Sequence, residues 1–198
     1  MISNLIGGPV TAETIESWHE FYLMAGTAAV TLVGLLFVAL SFHLEAMLHE
    51  KRSHLLAAAR LAFMNFIFVL MLSLFFLVPG TETLLVGVAT IVLSVVSLGG
   101  VLWDGLRTRV KGRVTGYEAF LRRRYVVSGF FMGLAIMTAY GLITSPTRSH
   151  LYRLVPVVCA MLANGAGMSW DLLVQVGRMR RDAEREGARE GAREGAAK

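Results

Sequence analysis

The sequence predicts an all-α, polytopic membrane protein with five transmembrane helices, its N-terminus outside and its C-terminus inside. Three observations predict this class. Of the 198 residues 55% are hydrophobic, the mean hydropathy is +0.60 and only 17% are charged, whereas about a quarter of a soluble domain is charged. The apolar residues form five long, unbroken stretches. The nineteen Lys and Arg residues fall almost entirely in alternate segments between those stretches.

The five predicted spans are Phe21–Leu44, Leu55–Val78, Leu84–Trp103, Tyr125–Thr144 and Leu151–Val174. Each supplies the roughly 20 residues that a helix needs to cross the hydrocarbon core. Their apolar character is continuous and does not alternate, which excludes the strands of a membrane barrel. A helix satisfies its backbone groups internally, as lipid requires. The chain therefore divides into an outside N-terminal segment (1–20), a membrane domain (21–174) and a basic, low-complexity cytoplasmic tail (175–198). Residues 1–20 contain Glu13, Glu16 and Glu20 but no Lys or Arg. A cleavable signal would need a positive start, so the first span is expected to be retained.

Orientation follows from the basic residues. With the N-terminus outside, the inside segments 45–54, 104–124 and 175–198 hold two, seven and seven of them, and Arg60 can snorkel to the same side. Seventeen of nineteen then lie inside, and only Arg148 and Arg153 lie outside. That asymmetry is the positive-inside signature, and a bacterial-type inner membrane is the expected location. Trp18, Tyr22 and Tyr152 are expected at the outer interface, and Trp103, Tyr125 and Trp170 at the inner one. The net charge of +5 implies anionic headgroups as partners and no nucleic acid, because the basic residues flank apolar spans.

Pro79 and Pro146 each follow a span and close a short outer connection. Spans two and three, and four and five, therefore read as hairpins behind one lone helix. Each proline precedes a Trp-Asp pair by 24 residues, Trp103-Asp104 and Trp170-Asp171. This spacing suits either an internal duplication of the kind found in transport folds or coincidence. The tail repeats Arg-Glu-Gly-Ala, which offers ion pairs at i,i+3 against glycines that weaken a helix. A frayed extension of the last span or plain disorder is expected there.

The first span is the most unusual element. At steps of four and three, one face reads Glu20, Met24, Thr27, Thr31, Gly34, Val38, Ser41 and Glu45, a small, polar stripe with a carboxylate at each end. The opposite face, with Leu23, Leu32, Leu35, Leu36 and Phe37, reads as bulky and apolar. Such a stripe suits a helix that faces a partner or an axis. It supports two readings: a pore lining in a homo-oligomer, with Glu20 and Glu45 concentrating cations at the mouths, or a close-packing seam. The polar groups Asn65 and Asn164 inside spans should turn inward and find partners. Asp104 and Asp171 sit at the inner boundary among arginines and should form ion pairs. Arg107, Arg109, Lys111, Arg113, Arg122, Arg123 and Arg124 are candidates for lipid contact. Gly129 and Gly133 form a G-x-x-x-G expected to mark a close helix contact.

Other chemistry is not expected. The single Cys159 excludes an intramolecular disulfide and reads as a small buried hydrophobe. His19, His43, His49, His54 and His150 show no ligand spacing inside a span, so neither a metal nor a cofactor is expected. No catalytic motif is present, and enzyme activity is not expected. The first functional expectation is a small, homo-oligomeric, cation-preferring ion channel, with transport through the first span. The alternative is a non-conducting scaffold or regulatory subunit of a membrane complex.

Overall fold

The computed structural model describes residues 10, 12–41, 53–80, 82–110 and 116–196. Six helices lie among them: α1 (Ala12–Glu16), α2 (His19–Ser41), α3 (Ser53–Leu77), α4 (Thr83–Val110), α5 (Gly116–Thr144) and α6 (Arg148–Ala196). Five of these, α2 to α6, are long and apolar enough to cross a membrane. At 1.5 Å per residue, the 23 residues of α2 extend about 35 Å, slightly more than the hydrocarbon core.

The helices run alternately up and down. One end of the bundle carries Pro79 and Pro146, and the other carries Arg60, Asp104, Arg124 and Asp171. We call these the proline end and the basic end. α3, α4, α5 and α6 pack in a ring, each against its two neighbours, and α2 lies outside it on α3, touching α6 lightly. The successive pairs α3–α4 and α5–α6 do not stand apart, because α4 and α5 share the broadest contact in the molecule. α3 is the central element: 56% of its apolar window is buried, against 22% for α2.

Small residues set the closest approaches. A Cβ added to Gly165 of α6 would lie 2.6 Å from the Phe66 ring of α3, and one added to Gly87 of α4 would lie 2.6 Å from Ile143 of α5. Gly26 of α2 sits similarly on Ser73, at 3.0 Å. In lipid, where helix association relies on packing and not on water exclusion, such approaches are a main source of contact energy. The expected G-x-x-x-G contact is not among them. A Cβ at Gly129 would make only an ordinary contact with Leu98 at 3.7 Å, and one at Gly133 would meet nothing. Which glycines are close depends on how the helices are rotated, and the motif does not specify that.

Several boundaries differ from expectation. The segment before the first span is not featureless: α1 buries Thr14 and Ile15, and the Val10 N–H donates to the Pro146 carbonyl at 3.0 Å. This seats the N-terminal segment on the α5–α6 turn. α4 runs seven residues past Trp103, and α5 begins nine residues before Tyr125, so most of the expected inner loop 104–124 is helix. α6 continues past Val174 to Ala196, the helical extension of the last span that was one of the two expectations for the tail, and its 49 residues extend about 74 Å. The physical reason is common to both. Hydropathy marks where lipid ends, whereas Arg, Glu, Leu and Ala keep good helix propensity once water is the solvent.

Two aromatics expected at an interface are buried instead. Tyr22 is fully buried and stacks on Phe76, with ring centroids 3.8 Å apart and planes 12° from parallel. Tyr125 packs inside, and its hydroxyl donates to the Ala57 carbonyl at 3.4 Å. Trp103, Trp170 and Tyr152 are exposed, as a belt position requires. Cys159 is exposed on the apolar surface of α6, not buried as expected.

Candidate functional site

Among the polar residues within the apolar spans, two groups contrast in their surroundings. The first is the α2 stripe. The face of α2 that meets α3 is made by Tyr22, Ala25, Gly26, Ala29 and Leu36. At 100° per residue the stripe lies almost diametrically opposite. Glu20, Met24, Thr27, Thr31, Gly34, Val38 and Ser41 are all exposed, and a Cβ at Gly34 would meet no atom within 4 Å. Among the described residues, the stripe therefore packs against no other helix. The bulky residues do not form one opposing face either: Leu36 is buried, whereas Leu23, Leu35 and Phe37 are exposed beside the stripe.

The stripe hydroxyls are satisfied locally. Thr27 donates to the Leu23 carbonyl, Thr31 to Thr27 and Ser41 to Phe37, each at 2.8 Å. Donation to the carbonyl four residues back uses the only hydroxyl proton and leaves the oxygen lone pairs free. Glu45, the expected carboxylate at the second end, lies outside the described residues.

The second group is a buried chain of hydrogen bonds. The Arg124 Nη1 donates to Asn164 Oδ1 at 3.0 Å, Asn164 Nδ2 donates to Ser128 Oγ at 2.8 Å, and Ser128 Oγ donates to Asn65 Oδ1 at 3.0 Å. Asn164 Nδ2 also lies 3.4 Å from the Arg124 carbonyl. Every donor points the same way, from the charged guanidinium toward the centre of the bundle, so each bond polarises the next. The chain ties α5, α6 and α3 together. It ends at the Asn65 amide nitrogen, which is fully buried and has no hydrogen-bond partner among the described residues.

Local sequence explains the assembly. Ser128 follows Arg124 by four residues and shares its face. Asn164 and Asp171 are seven apart on α6, and Gly167 lies between them. A Cβ at Gly167 would stand 2.9 Å from Arg124 Nη2, so the glycine makes room for the guanidinium. Asp171 Oδ2 lies 3.5 Å from that nitrogen, an ion pair outside hydrogen-bonding geometry.

The expected residues thus separate. Asn65 and Asn164 share one network, joined by Ser128 and by Arg124, which had been grouped with the lipid-facing arginines. The signal that would have exposed them is the four-residue spacing between Arg124 and Ser128. Asp104 accepts from Arg60 Nη1 at 2.8 Å, so each Trp-Asp pair meets an arginine of the preceding helix. Arg122 and Arg123 are exposed while Arg124 turns inward. Arg107 and Arg109 lie on the last turn of α4, and Lys111 and Arg113 lie outside the described residues. Compared with protein-family models, with curated proteins and with solved structures, the chain shows no match.

Proposed function

We propose that this chain assembles as a small homo-oligomer in a bacterial-type inner membrane, with its basic end cytoplasmic, and that α2 lines a cation-preferring conduction path at the symmetry axis. The observation that carries the reading is the position of the α2 stripe. The side of α2 that holds a carboxylate, hydroxyls and a glycine points away from the chain's own core. Copies around an axis would bring those faces together and enclose a path between them. Because the Thr27, Thr31 and Ser41 protons are donated to the helix, the oxygens present lone pairs outward, which suits a cation. Glu20 would raise the local cation concentration at the proline-end mouth.

Purified protein in liposomes should pass monovalent or divalent cations, and Glu20→Gln should lower cation-over-anion selectivity. Absence of conductance in well-inserted protein overturns the reading. Single cysteines introduced at Glu13 and Arg181 in a Cys159→Ser background should react with an impermeant thiol reagent from opposite sides, the latter from the cytoplasm.

A second reading, a non-conducting scaffold or regulatory subunit, is favoured by the open surfaces at Gly34 and Gly133, where an added Cβ meets nothing. It expects a co-purifying partner that is lost when either glycine is changed to Leu. An unchanged complex in both variants removes it.

A further inference from the structure

α2 and α6 both pack on α3 but touch each other only lightly, and toward the basic end they leave a groove of about 190 Å³ between them. Leu32, Leu36 and Leu40 line it from α2, and Ala166, Trp170 and Leu173 from α6. The Ser169 hydroxyl at its wall donates to the Gly165 carbonyl at 3.0 Å, so its proton is already used within α6. From Leu32 to Leu40 it extends about 12 Å along α2, close to the roughly 15 Å hydrocarbon depth of one leaflet.

Beyond Leu173 the same face of α6 changes character. Gly177 follows four residues later, and an added Cβ there would meet nothing. Arg181 follows after four more, eleven residues and about three turns from Trp170, and it is exposed, as is Arg178 beside it. Helical side chains lean toward the N-terminus of their helix. Arg181, within about 20° of Trp170 around the helix, therefore leans back toward the groove mouth, and Arg178 stands about 60° farther round.

We propose that this groove is a binding site for an anionic phospholipid, with one acyl chain lying between α2 and α6 and the phosphate held by Arg181, while Arg178 beside it adds to the positive field. The two ends of the site select different parts of one molecule. The apolar walls take a chain that any phospholipid could supply, whereas the arginines favour a headgroup with net negative charge. The inference is independent of whether the protein conducts.

The natural tryptophans provide the test. In the full chain carrying Trp18→Phe and Trp103→Phe, Trp170 is the sole fluorophore and stands at the groove. In the chain carrying Trp18→Phe and Trp170→Phe, Trp103 reports from the open surface of α4 at the same end. Each protein is reconstituted in phosphatidylcholine vesicles containing increasing fractions of brominated phosphatidylglycerol or brominated phosphatidylcholine. Brominated phosphatidylglycerol should quench Trp170 at a several-fold lower fraction than brominated phosphatidylcholine, and Trp103 should show little preference. Arg181→Gln should reduce the preference by roughly fivefold, Arg178→Gln should reduce it by less, and Ala166→Phe, which fills the groove, should abolish it. Equal quenching by the two lipids at Trp170 overturns the proposal, as does an equal preference at Trp103, which would reflect only a basic surface. A preference that survives Ala166→Phe also overturns it. So does loss of quenching with rising protein-to-lipid ratio, which would mean that a second copy fills the groove.

Discussion

Thr31 of α2 and Asn164 of α6 both place polar atoms within an apolar span, yet one is exposed and the other is buried among partners. The difference lies in their chemistry. A threonine hydroxyl has one proton and reaches the carbonyl four residues back, so it is satisfied by its own helix on any face. An asparagine amide carries two protons and an acceptor that its own helix does not match, and an unsatisfied group in hydrocarbon costs several kcal/mol. Asn164 therefore draws Arg124 and Ser128 to it and orders three helices. Thr31 orders none. Polar residues of the first kind are free to serve an external surface, and those of the second kind are committed to the fold.

The largest test of that contrast is steric. Gly165→Leu drives a side chain into the space of the buried Phe66 ring and should cost about 2–3 kcal/mol. Gly34→Leu, on the open stripe, should change the unfolding free energy by less than about 0.5 kcal/mol. Both are read from denaturing-detergent titrations of the purified protein. Equal losses would mean that the stripe is covered, and a loss at Gly34 that scales with subunit dilution would place the cover between copies.

Hydrogen bonding gives a smaller separation. Asn164→Leu removes the node between Arg124 and Ser128 and should cost about 1–2 kcal/mol, within the range of interhelical hydrogen bonds in membranes. Thr31→Val should be neutral to within about 0.5 kcal/mol, because the lost bond is local and exposed. A Thr31→Val effect as large as the asparagine's would show that its hydroxyl has a partner outside this chain.

The smallest effect belongs to the basic end. A double-mutant cycle on Arg60 and Asp104 should return a coupling of about 0.5 kcal/mol that shrinks in high salt, since Arg60 is half exposed. The Arg124–Asp171 coupling should resist salt better, because its arginine is 26% exposed and lies within the polar chain. Similar salt sensitivity in the two pairs would remove the distinction.

Composition and apolar run length alone were enough to specify five spanning helices, because crossing lipid demands long, continuous apolar segments whatever their neighbours are. The inward position of Asn65 and Asn164 was legible for a related reason: lipid offers an amide no partner, whereas the interior gives Asn164 partners at both its atoms and Asn65 one at its oxygen. Helix rotation was not legible. The sequence displays the α2 stripe but not that it points away from α3, and it displays Gly129 and Gly133 but not that Gly87, Gly165 and Gly167 make the close approaches instead. Only the tertiary structure decided that Arg124 turns into the bundle while Arg122 and Arg123 stay outside. Hydropathy measures what one helix prefers as solvent, whereas rotation is settled by mutual packing and hydrogen bonding among several helices at once. Neither of those is a property of one segment.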